Sequence, residues 1–128
     1  PDDEIFEGLL IVRPEGRIYF ANAQNIAEKI NALVDQYKPR VVTLDMSRVP
    51  DFEYSALQML LEGERRTTER GMTLWLAALN PGVLKVVRQS GLAERLGRER
   101  LLFNAREAIE RFQTLQTEGG DSNRTVDS

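Results

Sequence analysis

Apolar residues along this chain follow two rhythms, short unbroken runs and longer stretches repeating every three to four positions. Ile5-Phe6 and then Leu9-Leu10-Ile11-Val12-Arg13 read as extended apolar segments. Pro14-Glu15-Gly16 reads as a turn, and Ile18-Tyr19-Phe20 as the returning partner of a hairpin. Ala23, Ile26, Ala27, Ile30, Leu33, Val34 and Tyr37 then recur at helical spacing, which predicts an amphipathic helix closed by Lys38-Pro39. Val41 to Met46 is a β-branched, apolar run, hence a buried strand. A second helix, roughly Ser55 to Arg70, carries Ala56, Met59, Leu60, Gly63 and Thr67 on one face, with Leu57 and Leu61 beside them. Gly71 ends it at the C′ position.

The second half repeats the alternation. Thr73 to Ala78 is a buried strand by its continuous hydrophobicity, with Trp75 in the core. Asn80-Pro81 starts a short helix, Asn as N-cap and Pro at the first helical position. Val83, Val86 and Val87 face inward on it, and it stops at Ser90-Gly91. Leu101-Leu102-Phe103 predicts a short final strand. Asn104 caps the last helix, with Glu107 three residues later in a capping-box spacing and Ala105, Ala108, Ile109 and Phe112 as its apolar stripe. The order is β-β-α-β-α-β-α-β-α. Strands alternating with helices imply an α/β fold with a largely parallel sheet, right-handed crossovers and an N-terminal hairpin on one edge.

Composition narrows the chemistry. At 128 residues the chain is one domain that buries about two-thirds of its unfolded surface. Residues 1–116 form the expected domain; from Thr117 the tail has too little apolar content to order itself, so 117–128 is expected to be disordered. The chain has no cysteine and no histidine. That excludes disulfides, zinc-thiolate sites and a cysteine nucleophile, and removes the commonest general base and transition-metal ligand. With 17 basic and 20 acidic residues, the net charge of −3 argues against a nucleic-acid partner. No window approaches 18 consecutive apolar residues, the length a membrane helix needs. A first residue that is proline rather than methionine is expected of a piece cut from a longer protein.

The most informative stretch is Val41 to Leu57. A buried strand stops at Asp45, and the next helix begins near Ser55. The loop between holds Asp45, Ser47, Asp51, Glu53 and Tyr54. A polar loop between strand end and helix start is where open α/β sheets place ligands. Taken singly, Asp45 and Ser47 read equally well as a turn after the strand, and Ser55 as a plain helix cap. Together they read as a docking loop, in which Asp51 and Glu53 favour a basic group on a protein partner over a phosphate. The pair Asp51 and Glu53 has no substrate pocket around it in sequence, no acidic spacing matches a cation loop, and there is no Walker-type loop. No cofactor or metal is expected. Leu57 and Leu61 lie where they would either pack inward or help bind a partner. Arg95, Arg98 and Arg100, with Glu94 and Glu99 between them, read as a solvated segment. Glu62, Glu64, Arg65, Arg66, Glu69 and Arg70 read as the exposed face of the second helix.

Val41 to Leu61 resembles the signature of the STAS domain, found in anti-sigma-factor antagonists and at the cytoplasmic C-terminus of SulP-type anion transporters. In the antagonist branch a serine ahead of the helix is phosphorylated by a partner kinase. Laid on this chain, the Asp-Ser-Ser-Gly-Leu of that motif becomes Glu53-Tyr54-Ser55-Ala56-Leu57, so tyrosine stands at the phospho-acceptor position. The transporter branch is matched more fully. Arg13-Pro-Glu-Gly16-Arg-Ile-Tyr19-Phe20-Ala-Asn-Ala23 resembles its opening pattern, and Asp45 to Leu57 resembles its loop.

The resemblance covers residues 5 to 115 and implies a mixed central β-sheet with about four helices packed around it. It implies a non-enzymatic regulatory domain on the cytoplasmic side of the membrane, attached to a transmembrane domain of the same polypeptide. Such a module would support assembly, gating or partner binding through Asp45, Ser47, Asp51, Glu53, Tyr54, Ser55 and Leu57. A cytosolic protein and a second copy of the chain are further partners consistent with it, and some relatives suggest weak nucleotide binding. The alternative is a free-standing phospho-switch of the antagonist type, in which Ser55 or Ser47 would be the acceptor.

Overall fold

The computed structural model describes residues 3–97 and 100–127, with side chains up to residue 117. Two short strands open it, β1 (Glu4–Phe6) and β2 (Leu9–Val12), paired antiparallel through a turn at Gly8. There follow α1 (Phe20–Tyr37), β3 (Val41–Asp45), α2 (Tyr54–Glu69), β4 (Thr73–Ala77), α3 (Pro81–Gln89), α4 (Leu92–Leu96), β5 (Leu101–Leu102) and α5 (Ala105–Asp127). The sheet order is β1-β2-β3-β4-β5, and every pair after the first is parallel.

Because the strands from β2 onward are added in sequence order, right-handed crossovers put α1, α2 and the α3–α4 pair on one face. Only the chain after β5 is left to cover the other. Alternation along each strand divides the core accordingly. Leu10, Val12, Val42, Leu44, Leu74 and Leu76 pack toward α1–α4. Leu9, Ile11, Val41, Trp75 and Leu102 pack toward Ala108 and Phe112 of α5. Both faces being covered, the strands read as unbroken apolar runs rather than alternating ones. Each fully buried Leu, such as Leu10 or Leu76, contributes about 1.5–3 kcal/mol.

Several expectations are corrected. The partner of β2 in the hairpin is β1, not Ile18-Tyr19-Phe20. Ile18 makes a single parallel bridge to Phe52, and α1 already starts at Phe20. Gly16 lets the backbone swing at φ +89°, which carries the chain off the sheet instead of back along it. A short helix, α4, stands in the stretch read as a solvated segment, and β5 ends at Leu102, leaving Phe103 80% exposed. The last helix runs to Asp127. The tail expected from Thr117 lies, from residue 118, where side chains fall outside the described residues.

The caps agree with the sequence. Asn80 Oδ1 accepts from the Val83 N–H at 2.8 Å, and Asn104 Oδ1 from the Glu107 N–H at 2.8 Å.

Candidate functional site

The site lies at the carboxyl ends of β2 and β3. Asp45, the last residue of β3, is only 4% exposed. Its Oδ2 accepts from Arg13 Nε at 2.7 Å, and its Oδ1 accepts from the Ser47 N–H at 3.0 Å. A buried carboxylate is tolerated because it is paired with a guanidinium and closes an Asx turn. Arg13 reaches further, to Glu4 at 2.6 Å. Its own N–H donates to Asp3 Oδ1 at 3.0 Å. Burial works to lower the Arg13 pKa, but the hydrogen bonds to Asp45 and Glu4 outweigh it and raise it above its ordinary value. The residue is permanently cationic.

From Asp45 the loop is held on three sides. The Met46 N–H donates to the Ala77 carbonyl at 2.8 Å, extending the β3–β4 ladder. Asn80, besides capping α3, donates through Nδ2 to the carbonyls of Val49 and Pro50 at 3.2 and 3.1 Å. On the opposite side the chain between β2 and α1 zips onto it. The Gly16 N–H donates to Arg48 O, Ile18 N–H to Asp51 O and Glu53 N–H to Ile18 O, at 2.9–3.0 Å. Phe52 and Ile18 are buried beneath this pairing. Above it, Arg17 forks between Asp51 (3.0 Å) and Glu53 (2.5 Å). Asn22 then fixes the start of α1, accepting from the Tyr19 N–H and donating to the Arg17 carbonyl, both at 2.7 Å.

Two loops far apart in sequence therefore form one surface. Tyr19 and Phe20 begin α1 on one side of the Ile18–Phe52 bridge, and Tyr54, 56% exposed, begins α2 on the other. Arg17 meets two carboxylates, Asp51 and Glu53, and exposed Glu15 and Arg48 flank them on the paired loops. The surface exposes aromatic side chains among charged ones, with carboxylates in slight excess.

The predicted residues divide. Asp51, Glu53, Tyr54 and Ser55 share the zipped surface. Asp45 sits beneath it and positions it, while exposed Ser47 takes part through its backbone N–H. Ser55 is not the cap expected of it: the N-cap is Glu53, and Ser55 Oγ donates to Glu53 Oε2 at 3.3 Å. Leu57 does not face a partner. It is fully buried, because Ala56 and Leu57 together form the face of α2 that meets the sheet.

The reading of the second helix's charged face is also corrected. Glu64 is 2% exposed, its Oε1 receiving Arg95 Nε and Nη2 at 2.8 and 2.7 Å. Its Oε2 accepts from Thr68 Oγ1 at 2.9 Å, with Arg100 at 3.6 Å. Arg95 and Arg100 therefore serve a buried carboxylate, while Arg98 lies outside the described residues. The expected helical pairing holds for Glu62 with Arg65 and Arg66. Sequence reasoning did not single out Arg17, Ile18, Phe52 or Asn22. Their signal was Gly16 followed closely by Ile18 and the aromatic pair Tyr19-Phe20, read as a hairpin. Among the described residues no group of three or more acidic, His or Cys side chains could hold a metal, and no helix is long and apolar enough to cross a membrane.

Comparison with known proteins places this geometry in context. The model of a family described as the STAS domain matches residues 1–111. Sulfate transporter 3.1 of Arabidopsis thaliana is 29% identical over a 140-residue alignment, covering 96% of this chain and 21% of that protein. The chain thus spans about a fifth of the length of the curated relatives it matches. A sulfate transporter family protein from Wolinella succinogenes superposes with a TM-score of 0.75 at 23% identity, over 89% of this chain and 92% of that one. The anti-sigma factor antagonist SpoIIAA, in its unphosphorylated form, superposes at 0.72 and 21% identity, over 88% and 96%. These two share the fold.

Proposed function

Because the chain belongs to the STAS domain family, we propose that it is the regulatory and docking module of a SulP-type anion transporter, acting by binding rather than by catalysis. The similarity in sequence to sulfate transporters supports this reading. In such a protein the anion path lies in a transmembrane domain of the same polypeptide, and this module sits on the cytoplasmic side.

The observation that carries the reading is the zipped surface. Backbone pairing at Ile18 and Phe52 and the Arg17 fork hold the starts of α1 and α2 side by side, with Tyr19, Phe20 and Tyr54 exposed there. Large exposed aromatics on a rigid frame bring contact area at little entropic cost. The transmembrane domain or a cytosolic protein docks here and couples to assembly or gating.

The test uses the full-length transporter, reconstituted in vesicles, with Tyr19→Ala and Tyr54→Ala combined. Anion uptake or oligomer assembly should fall several-fold while the amount of inserted protein holds. Unchanged uptake together with unchanged assembly would overturn the proposal.

A second reading, the phospho-switch, is favoured by one feature: Ser55 is exposed in the first turn of α2. Glu53 Oε2 lies 3.3 Å from its hydroxyl and would repel a phosphate there. Phosphorylation of Ser55 or Ser47 by a purified partner kinase would decide for this reading.

A further inference from the structure

Arg13 and Asp45 open the two stretches that carry the family resemblance. The structure joins them across neighbouring strands, Arg13 Nε donating to Asp45 Oδ2 at 2.7 Å. What orients Arg13 comes from β1. Glu4 Oε1 holds Arg13 Nη1 at 2.6 Å, and Asp3 Oδ1 accepts the Arg13 backbone N–H at 3.0 Å. Asp3 is held in turn by Lys29 of α1, whose Nζ lies 2.8 Å from Oδ2. A row of polar contacts therefore runs from α1 through β1 and the end of β2 to Asp45. It finishes at the Ser47 N–H, which donates to Asp45 Oδ1.

The strand that starts this row is the most lightly anchored in the sheet. β1 has three residues and pairs with β2 alone. Ile5 and Phe6 are 41% and 37% exposed, and no residue of β1 belongs to either apolar core. Opening it leaves the ladder from β2 to β5 and both cores in place, which puts it at the low end of local-unfolding costs. Burial lies instead at the far end of the row, where the side chains of Arg13 and Asp45 are 16% and 5% exposed. A carboxylate at that depth keeps its place only while the guanidinium stays against it. Glu4 pins one end of that guanidinium and so directs Nε at Asp45. Once β1 leaves, Arg13 gains water and rotamer freedom, and the turn at Ser47 loses its fixed acceptor.

We propose that β1 is a latch on the loop after β3: paired with β2 it holds the Asp45–Ser47 turn through Arg13, and released it lets that turn open. Coupling of this kind is reciprocal, so a molecule that binds and fixes the loop also closes β1. The latch concerns the same loop as the proposed docking surface but does not rest on that reading. Its test follows the loop itself rather than transport, so each fails separately.

Amide hydrogen exchange on the 128-residue chain provides that test. Phe6→Pro removes an N–H that the two-residue hairpin turns toward β2, so β1 lets go. Exchange at Ser47 should rise about ten-fold or more. Val83, whose N–H is capped by Asn80 on the other side of the loop, should keep its protection. Should Phe6→Pro fail to fold, Asp3→Ala combined with Glu4→Ala removes both holds on Arg13 and carries the same expectation. In an Asp45→Ala background Ser47 already lacks its acceptor, and Phe6→Pro should add less than about two-fold. An unchanged Ser47 rate, or a matching rise at Val83, would overturn the latch. An equal rise at Ser47 with and without Asp45 would overturn the route through Arg13 and Asp45.

Discussion

Glu64 and Arg95, thirty-one positions apart, form a two-pronged ion pair in which the carboxylate is buried and the guanidinium is half in water. The pair ties α2 to α4, the element that precedes β5. Arg100 and Thr68 complete the ring around Glu64.

The asymmetry of burial makes a prediction. Arg95→Ala leaves a buried carboxylate with the Thr68 hydroxyl and, as its one remaining cation among the described residues, the more distant Arg100. About 2–3 kcal/mol of stability should be lost. Glu64→Gln leaves an arginine that turns into solvent, and a neutral amide inside, so it should cost about half as much. Urea unfolding of both variants decides; the reverse order would sink the argument.

Asp45 is the corresponding anchor beneath the proposed docking surface. Asp45→Ala removes the acceptor of both Arg13 Nε and the Ser47 N–H, and should cost about 2–4 kcal/mol. Asp45→Asn keeps the turn acceptor and should cost less. Hydrogen exchange at Ser47 separates the two, since only the alanine variant should expose that amide.

Arg17 lies on the surface, and its fork to Asp51 and Glu53 is exposed. Its removal should therefore change global stability by less than about 1 kcal/mol. The effect belongs to the loop: Arg17→Ala should speed exchange of the Ile18 and Glu53 amides. Equal protection in both proteins would show that the backbone bridge needs no clamp.

Two glycines should respond with opposite sign. Gly63→Ala fills open space in mid-helix and should stabilise by roughly 0.5–1 kcal/mol. Gly8 sits at φ +88°, and a Cβ there would come within 2.9 Å of the Phe112 ring. Gly8→Ala should destabilise by about 1–3 kcal/mol. Thermal melts of the two variants check both signs.

Acid sensitivity has one identifiable source at the N-terminal edge. Burial acts to raise the Asp3 carboxyl, but the hydrogen bond from Lys29 and the Arg13 N–H, with the Lys29 charge, hold it below its ordinary 3.8. A lowered folded value means that the unfolded chain takes up this proton first as pH falls. The stabilisation is full above the ordinary carboxylate range and disappears as pH drops through the folded value. Asp3→Asn should accordingly be less stable at pH 7, with the difference shrinking below about pH 4. A gap that stays constant across that range would contradict the assignment.

How far the sequence reaches is visible in single elements. The strands at Val41 and Thr73 were legible because burial on both faces demands unbroken apolar runs, which few other structures require. The caps at Asn80 and Asn104 were legible because a helix leaves its first N–H groups unpaired within one turn, and the answering side chain must be local. Ile18 was misplaced because an apolar residue after a glycine turn suits a hairpin as well as a bridge. The choice fell to Phe52, thirty-four positions away.

Sequence by itself thus determined the alternation of strands and helices, the family motifs at Arg13–Ala23 and Asp45–Leu57, and the acidic, hydroxyl-rich loop. Tertiary structure alone decided that Leu57 turns inward, that Glu64 is buried in a run of surface-like charges, and that Tyr19 and Tyr54 belong to one surface. The physical reason is range. Helical and strand periodicities are properties of neighbours along the chain, whereas a charge can be buried only where a partner such as Arg95 arrives from elsewhere in the fold.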